Sequence, residues 1–321
     1  MRFIDLFCGI GGFHIALSNM GAKCVFACDI DEECRRTYEQ NFGIKPEGDI
    51  KKIDINSIPD HEVLCAGFPC QPFSICGKQE GFKDSRGNLI FYILDIVKKK
   101  KPKVVLLENV KHLKYHNKGK TLSTIITEFQ KIGFKVSWKT LNAKDYRTAQ
   151  NRERIVIVAS KGKEFCFSSL KQRTNLVIKN ILDINGDFEY LDNKEFTIID
   201  NPKKQASGLI FIGYRNKDIR KKGVRAGTEH LSRVHKQPNR IYSSDGTHPT
   251  IPSQESSGRF FIYHEGKVRK LTINECFKLM GFPENFKKIS SNGKLYNQIG
   301  NSVSIPMIET LFFEIKKQYF K

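Results

Sequence analysis

The stretch AGFPCQPFS, residues 66–74, sets Cys70 between Pro69 and Pro72. Prolines fix φ, so a thiol held between them is presented in one place, as a nucleophile requires. Glu108 follows the apolar run VVLL; partial burial would keep its carboxyl protonated near neutral pH and make it a proton donor. In NRERIVIVAS, Arg152 and Arg154 are two apart and project to one strand face, with Glu153 opposite. Alone, each has a plainer account: a surface ion pair, a strand-edge arginine. A nucleophile, an acid and two cations together are harder to dismiss. Another chemistry is written in DLFCGIGGF, residues 5–13, where Gly9, Gly11 and Gly12 let a ligand approach the backbone closely. His14 stands where a dinucleotide fingerprint would carry its third glycine. Asp29 ends the next strand, 17 residues after Gly12, near the spacing of a carboxylate that grips ribose hydroxyls. Asp49 closes the short GDI stretch. These residues predict a nucleoside-containing cofactor that need not carry a pyrophosphate.

What must position them is an alternation of strands and helices over the first ~160 residues. RFIDLF, AKCVFACD, EVLCAGF, KVVLLEN, FKVSWKTLN and RIVIVAS read as strands. FHIALSNMG, DEECRRTYEQNFG, NLIFYILDIVKKKK and TLSTIITEFQKIG read as helices. Continuous apolar strands predict an α/β, Rossmann-like parallel sheet covered on both faces. Ligands gather at the carboxyl ends of such strands, where Asp5–Gly9, Asp29, Gly67–Cys70, Glu108–Asn109 and Asn142 all fall. From about residue 165 periodicity fades, and a smaller, loop-rich domain is expected. Order returns near Arg269, where Thr272 and Glu275 make a capping box. After QIGNSVSIP a closing helix is expected, with Ser304 as cap and Pro306 in its first turn.

The chain has 321 residues and a net charge of +20, which favours a polyanionic partner over solvated lysine-rich faces. Residues 201–240 hold eleven Lys/Arg against two acids, Asp218 and Glu229. No amphipathic basic stripe points to a membrane surface, no run approaches the ~18 apolar residues of a spanning helix, and the N-terminus lacks a signal-peptide layout. Nine cysteines without a CxxC pair or zinc spacing predict reduced thiols in a cytoplasmic protein, with no metal. Cys24, Cys28, Cys65 and Cys276 read as small core residues.

DLFCGIGGF, GFPCQPFS, ENV, QNRERIVIVA, RKLTINECFKLMGFPENF and QIGNSV together resemble, in order and spacing, the motifs of DNA (cytosine-5) methyltransferases. The similarity covers residues 1–160 and 269–321. It implies a catalytic and cofactor-binding domain over 1–180, completed by 288–321, a target-recognition domain over 181–268, and a connecting segment over 269–287. It implies transfer of a methyl group from S-adenosyl-L-methionine, leaving S-adenosyl-L-homocysteine, to carbon 5 of a cytosine flipped out of double-stranded DNA. The roles carry over residue by residue. Cys70 would add to carbon 6, Glu108 would hold ring N3, and Arg154 would steady the carbonyl side. Gln71 and Asn109 would line the proton's route, and Arg152 and Ser74 would serve structure and phosphate contact. Phe7, Gly9, Ile10, Gly11, Gly12, Asp29, Ile30, Asp49, Ile50, Pro69, Leu89, Asn301 and Ser302 would contact the cofactor.

Residues 74–88 resemble the family's closing loop. Cys76 stands where a relative's loop carries a DNA-entering serine, Ala149 replaces a common proline, and Asp29 replaces a longer glutamate. Gln237–Ser243 resembles a recognition loop, with Thr250-Ile251 matching a typical Thr-Leu pair. Arg240 is the first choice for reading guanine, and Gln237 for the place beside the unpaired base, which would imply a GCGC-like site. The expected enzyme is a monomeric, nucleoid-associated bacterial modification enzyme whose cognate restriction endonuclease shares its site. A tRNA-acting relative and a non-catalytic nucleic-acid-binding relative are the alternatives. The loop-rich middle argues against the first and intact Cys70, Glu108 and Arg154 against the second. A cysteine hydrolase would need a partner histidine that the Cys70 motif lacks.

Overall fold

The computed structural model describes residues 1–69, 89–172, 176–217, 225, 227–253 and 261–320. Its main sheet has six strands: β1 Arg2–Leu6, β2 Lys23–Cys28, β3 Val63–Ala66, β4 Val104–Val110, β5 Lys135–Asn142 and β7 Glu153–Ser160. They lie in the order β2-β1-β3-β4-β7-β5. The first four are parallel, but β7 runs antiparallel to both β4 and β5, so the sheet is mixed where a parallel one was expected. The cause is the short link between β5 and β7, which suffices for a return strand but not for a crossover. The reversal matters for chemistry, because it brings the amino end of β7 to the edge where β1–β4 end.

The helices are α1 Gly12–Ser18, α2 Glu32–Phe42, α3 Leu89–Lys100, α4 Lys120–Lys131, α5 Ile273–Met280, α6 Asn292–Asn301 and α7 Ile305–Tyr319. Two large apolar clusters clothe the sheet. One joins α1, α5, α6 and α7 through residues such as Phe3, Leu17, Phe277, Ile299 and Leu311. The other joins α3 and α4 through Leu64, Ile93, Val105 and Phe129. Asp31 caps α2, accepting from the amides of Glu33 and Cys34, and Gly43 ends it at φ +66, a left-handed turn that favours glycine. At α5 the capping box of Thr272 and Glu275 forms, and Arg269 reaches Glu275 at 2.7 Å inside the core. Residues 269–287 thus pack α5 against the main core. Ser304 caps α7 by position alone: its hydroxyl lies 3.2 Å from Thr148 Oγ1, with no bond to the helix amides.

A second sheet has five strands, β8 Phe196–Ile198, β9 Phe211–Arg215, β10 Arg240–Ser243, β12 Phe261–His264 and β13 Lys267–Lys270, in the order β13-β12-β10-β9-β8. Its small core is Ile241, Phe261 and Val268. A two-residue parallel pairing joins this part to the rest, β11 His248–Pro249 against β6 Gln150–Asn151. Among the described residues, no helix is long and apolar enough to cross a membrane.

Candidate active site

The carboxyl edge of β1–β4 opens into a cavity of about 550 Å³, within the range of small-ligand sites. The turn after β1 forms one wall. Phe7 adopts φ +57 and Gly9 φ +52; the first is a left-handed backbone that costs a non-glycine residue ~1–2 kcal/mol. The three glycines divide the work. A side chain on Gly9 would meet open space, whereas one on Gly11 would strike Phe42 and one on Gly12 would strike Ser302 and Val303. Gly11 and Gly12 therefore admit protein neighbours as well as a turn. Ile10 is 1% exposed and sinks into the core, and neither it nor Gly11 lines the cavity. His14 stacks on Phe42 at 3.9 Å and lies 2.6 Å from the Tyr38 hydroxyl; burial lowers its pKa to about 4.

Asp29 ends β2 on the cavity wall. Its carboxylate accepts from the amides of Gly9 and Asp31, both at 2.8 Å, so it fixes the glycine turn. Burial outweighs these bonds and raises its pKa. Asp49, Ile50, Pro69, Leu89, Asn301, Ser302 and Ile30 complete the wall expected for a cofactor. Ile30 is 74% exposed, an apolar face left open beside a carboxylate. The sequence reading missed Cys8, Cys28 and Cys34, which share this wall. Burial raises all three thiols, so they stay neutral. Behind them lies Asp5, fully buried on β1, and burial pushes its pKa well up against the pull of the nearby His14 backbone.

The reversed strand now shows its purpose. Val110 pairs with Arg154 and Glu108 with Val156 across β4 and β7, so Glu108 and Arg154 are diagonal neighbours on one face. Arg154 Nε lies 3.1 Å from Glu108 Oε1, without the alignment of a hydrogen bond. Glu108 is 7% exposed, and burial raises its pKa against the pull of Arg154 and Arg152. Burial favours the protonated form of this carboxyl, which in that form is a hydrogen-bond donor with a guanidinium next to it. Asn109 donates to the Phe68 carbonyl at 2.7 Å and accepts from Val110 N at 2.8 Å. It thereby anchors the segment that runs through Pro69 into Cys70. Cys70, Gln71, Ser74, Cys76 and the 74–88 segment lie outside the described residues.

Arg152 takes a different place from its neighbour. It is 1% exposed, and its guanidinium donates to the carbonyls of Gly300 (3.0 Å), Ser302 (2.6 Å) and Ile251 (3.3 Å). It ties the β6–β7 corner to the C-terminal helices and to the segment after β11. Asn142 lies near the same corner: it accepts from Arg152 N and donates to Asn151 Oδ1, and it does not line the cavity. Ala149 is buried there, and its carbonyl accepts from His248 N.

The family model of C-5 cytosine-specific DNA methylases matches residues 1–317. This chain belongs to that family. Among relatives, the type II methyltransferase M.HhaI of Haemophilus parahaemolyticus is 38% identical over 324 residues, covering 98% of this chain and 94% of that protein. M.HpaII of Haemophilus parainfluenzae is 37% identical, over 96% of this chain and 87% of its own length. The fold is also that of solved structures: S. pombe Dnmt2 superposes with a TM-score of 0.69 at 17% identity, covering 100% of this chain and 99% of that one. A putative DNA modification methyltransferase of an E. coli prophage gives 0.67 at 18% identity, over 99% of each chain. The enzyme class of the chain is accordingly DNA cytosine-5 methyltransferase.

Of the residues expected to read bases in this methyltransferase, Arg240 opens β10, Gln237 lies in the turn just before it, and Thr250 follows β11. Arg240, half-buried at the start of β10, donates to Gln237 Oε1 at 2.7 Å and to the His235 carbonyl at 3.0 and 3.1 Å. Thr250 is exposed and donates to the Asn151 carbonyl at 2.8 Å, so it belongs to the join between the two parts.

Proposed function

We propose that this methyltransferase moves a methyl group from S-adenosyl-L-methionine to carbon 5 of a cytosine swung out of a short, specific site in duplex DNA, as the modification partner of a restriction endonuclease. The supporting observation is the buried Glu108–Arg154 pair in the wall that also holds Pro69, the residue before Cys70. The cofactor suits the same cavity. Asp29, Asp31 and Asp49 line one part of the cavity, which favours a cation over a polyphosphate there, and Ile30 and Phe7 offer apolar cover to a nucleoside. When bound, the sulfonium supplies an electrophilic methyl group.

The chain's own groups prepare the acceptor. Addition of the Cys70 thiolate to carbon 6 forms a carbon–sulfur bond and shifts the 5,6 π-electrons onto carbon 5. Neutral Glu108 donates to N3 as negative charge gathers there, and Arg154 holds the carbonyl oxygen. Once carbon 5 is alkylated, its proton leaves by a route assigned to Gln71 and Asn109. The electrons of that C–H bond restore the double bond, and the thiolate departs. Arg240 and Gln237 would read the site, and a GCGC-like sequence is the first to try.

Duplex DNA carrying 5-fluorocytosine tests this, because fluorine cannot leave as a proton would. With cofactor, the wild type should form a complex that survives denaturation, and Cys70→Ser should form none. Absence of the adduct from a wild type that methylates ordinary DNA would overturn covalent addition. Equal or better methyl transfer to tRNA in competition would overturn duplex DNA as the substrate.

A further inference from the structure

Beyond Val110, on the cavity rim, the chain runs VKHLKYHNKGK into α4. These residues, 110–120, contain four lysines and two histidines, and the next acid in the sequence is Glu128. Lys111 is spent on Glu153, at 2.9 Å to both carboxylate oxygens. Lys114, Lys118 and Lys120 are exposed, and no described carboxylate lies within ion-pairing distance of them. The Lys114 ammonium sits over two rings, 5.4 Å from Tyr115 and 5.7 Å from Trp138. Those rings are themselves open, Tyr115 at 58% and Trp138 at 36%. Asn117, Lys118 and Gly119 all take left-handed backbones, φ 49, 54 and 84, a costly conformation for Lys118. Cations without a partner among the described carboxylates, flat aromatic faces and a strained turn thus share one surface, where the chain leaves the catalytic edge.

We infer that this surface, carried by Lys114, Lys118, Tyr115 and Trp138, grips the phosphodiester backbone of the DNA flanking the target cytosine. Rows of phosphate supply the charge that these lysines lack, and the sugar edges supply an apolar partner for the rings. Position favours the same DNA over an acidic protein. A strand that delivers a base into the cavity must continue past its rim, and Val110 is part of that rim. The rings hold Lys114 ready, so little side-chain freedom is lost on contact. The inference rests on the proposal that DNA enters this cavity.

Lys114→Glu/Lys118→Glu, two substitutions at exposed sites, tests it through binding to a cognate duplex across a salt series. Each phosphate contact contributes about 0.9 to the slope of log affinity against log salt, so the slope should fall by about 1.8. Between 50 and 200 mM salt, the wild type should therefore lose about twelvefold more affinity than the variant. Tyr115→Ala should weaken binding at every salt concentration without changing the slope, and kcat at saturating DNA should stay at the wild-type value in both. An unchanged slope in the double variant overturns the surface, as does a fall in kcat with KM constant. The two proposals fail separately. Wild-type protein that binds DNA but never methylates it sinks the reaction, while the salt series still reads the surface. Wild-type protein that methylates DNA, with its slope untouched by the substitutions, sinks the surface alone.

Discussion

Arg152→Met separates an arginine that holds the protein together from one that touches substrate. Methionine follows the stem of the side chain but has no donors. The substitution strips hydrogen bonds from the carbonyls of Gly300 at 3.0 Å and Ser302 at 2.6 Å, and a long one from Ile251 at 3.3 Å. A buried carbonyl left without its donor costs about 1–3 kcal/mol, so the two good bonds set a loss of roughly 2–6 kcal/mol. Removing a cation buried among apolar groups returns part of this, because such a charge is expensive to desolvate. The net expectation is about 2–4 kcal/mol. At about 2–4 °C per kcal/mol, the melting temperature should drop by roughly 5–15 °C. Arg152→Lys should fall between, since one ammonium can serve only one or two of the carbonyls. Thermal melts of the three proteins, with methyl transfer assayed well below each midpoint, give both readouts. A methionine variant that melts with the wild type and has lost transfer would refute the clamp and return Arg152 to the reaction.

Three other changes have directions fixed by the structure. Glu108→Gln keeps a donor for ring N3 but cannot ionise, so methyl transfer should fall by about 10²–10³-fold. Any limb of the pH–rate profile that reports ionisation of Glu108, displaced upward from the ordinary carboxylate range, should also vanish from the variant. Asp5 has a folded-state pKa raised above the unfolded value of about 3.9, so its share of stability is complete below that pH and is lost as pH rises through the folded value. Asp5→Asn should therefore gain in melting temperature on the wild type between pH 5 and pH 8, and parallel curves would show that Asp5 titrates normally. Gly300→Ala should destabilise despite alanine's better helix propensity, because the new methyl would lie 2.1 Å from the Pro252 carbonyl oxygen. A melting point at or above the wild-type value would contradict that close approach.

The strands of the main sheet were legible because most are short β-branched or apolar runs, and several site residues fall at or just past their ends. Their order in space was not legible: nothing in RIVIVAS announces that it inserts between β4 and β5 in reverse. Helix α6 escaped notice because NGKLYNQIGN is rich in glycine and asparagine, and only Leu295, Tyr296 and Ile299 mark its buried side. Glycine types were visible but not their neighbours, so Gly12 read as space for a ligand when Ser302 and Val303 also press against it. Cys8, Cys28 and Cys34 are small and buried enough to pass for core, although a cavity opens beside them. Arg152 and Arg154 look equivalent in NRERIV. Only the fold shows that one faces three carbonyls and the other a carboxyl.

The short run from His248 to Ser253 has a bearing on how such enzymes could exchange parts. Within it β11 pairs with β6, Thr250 holds the Asn151 carbonyl, Ile251 meets Arg152, Pro252 crowds Gly300, and the Ser253 carbonyl accepts from Asn297. This run is stitched to the larger body almost residue by residue, though in sequence it lies between β10 and β12 of the smaller sheet. A chimera that borrows the smaller sheet from a relative should therefore keep its own 248–253, taking β8–β10 from upstream of His248 and β12–β13 from downstream of Ser253. A crossover placed inside the run would pair mismatched halves of a seam whose tolerance is set by a single missing methyl group.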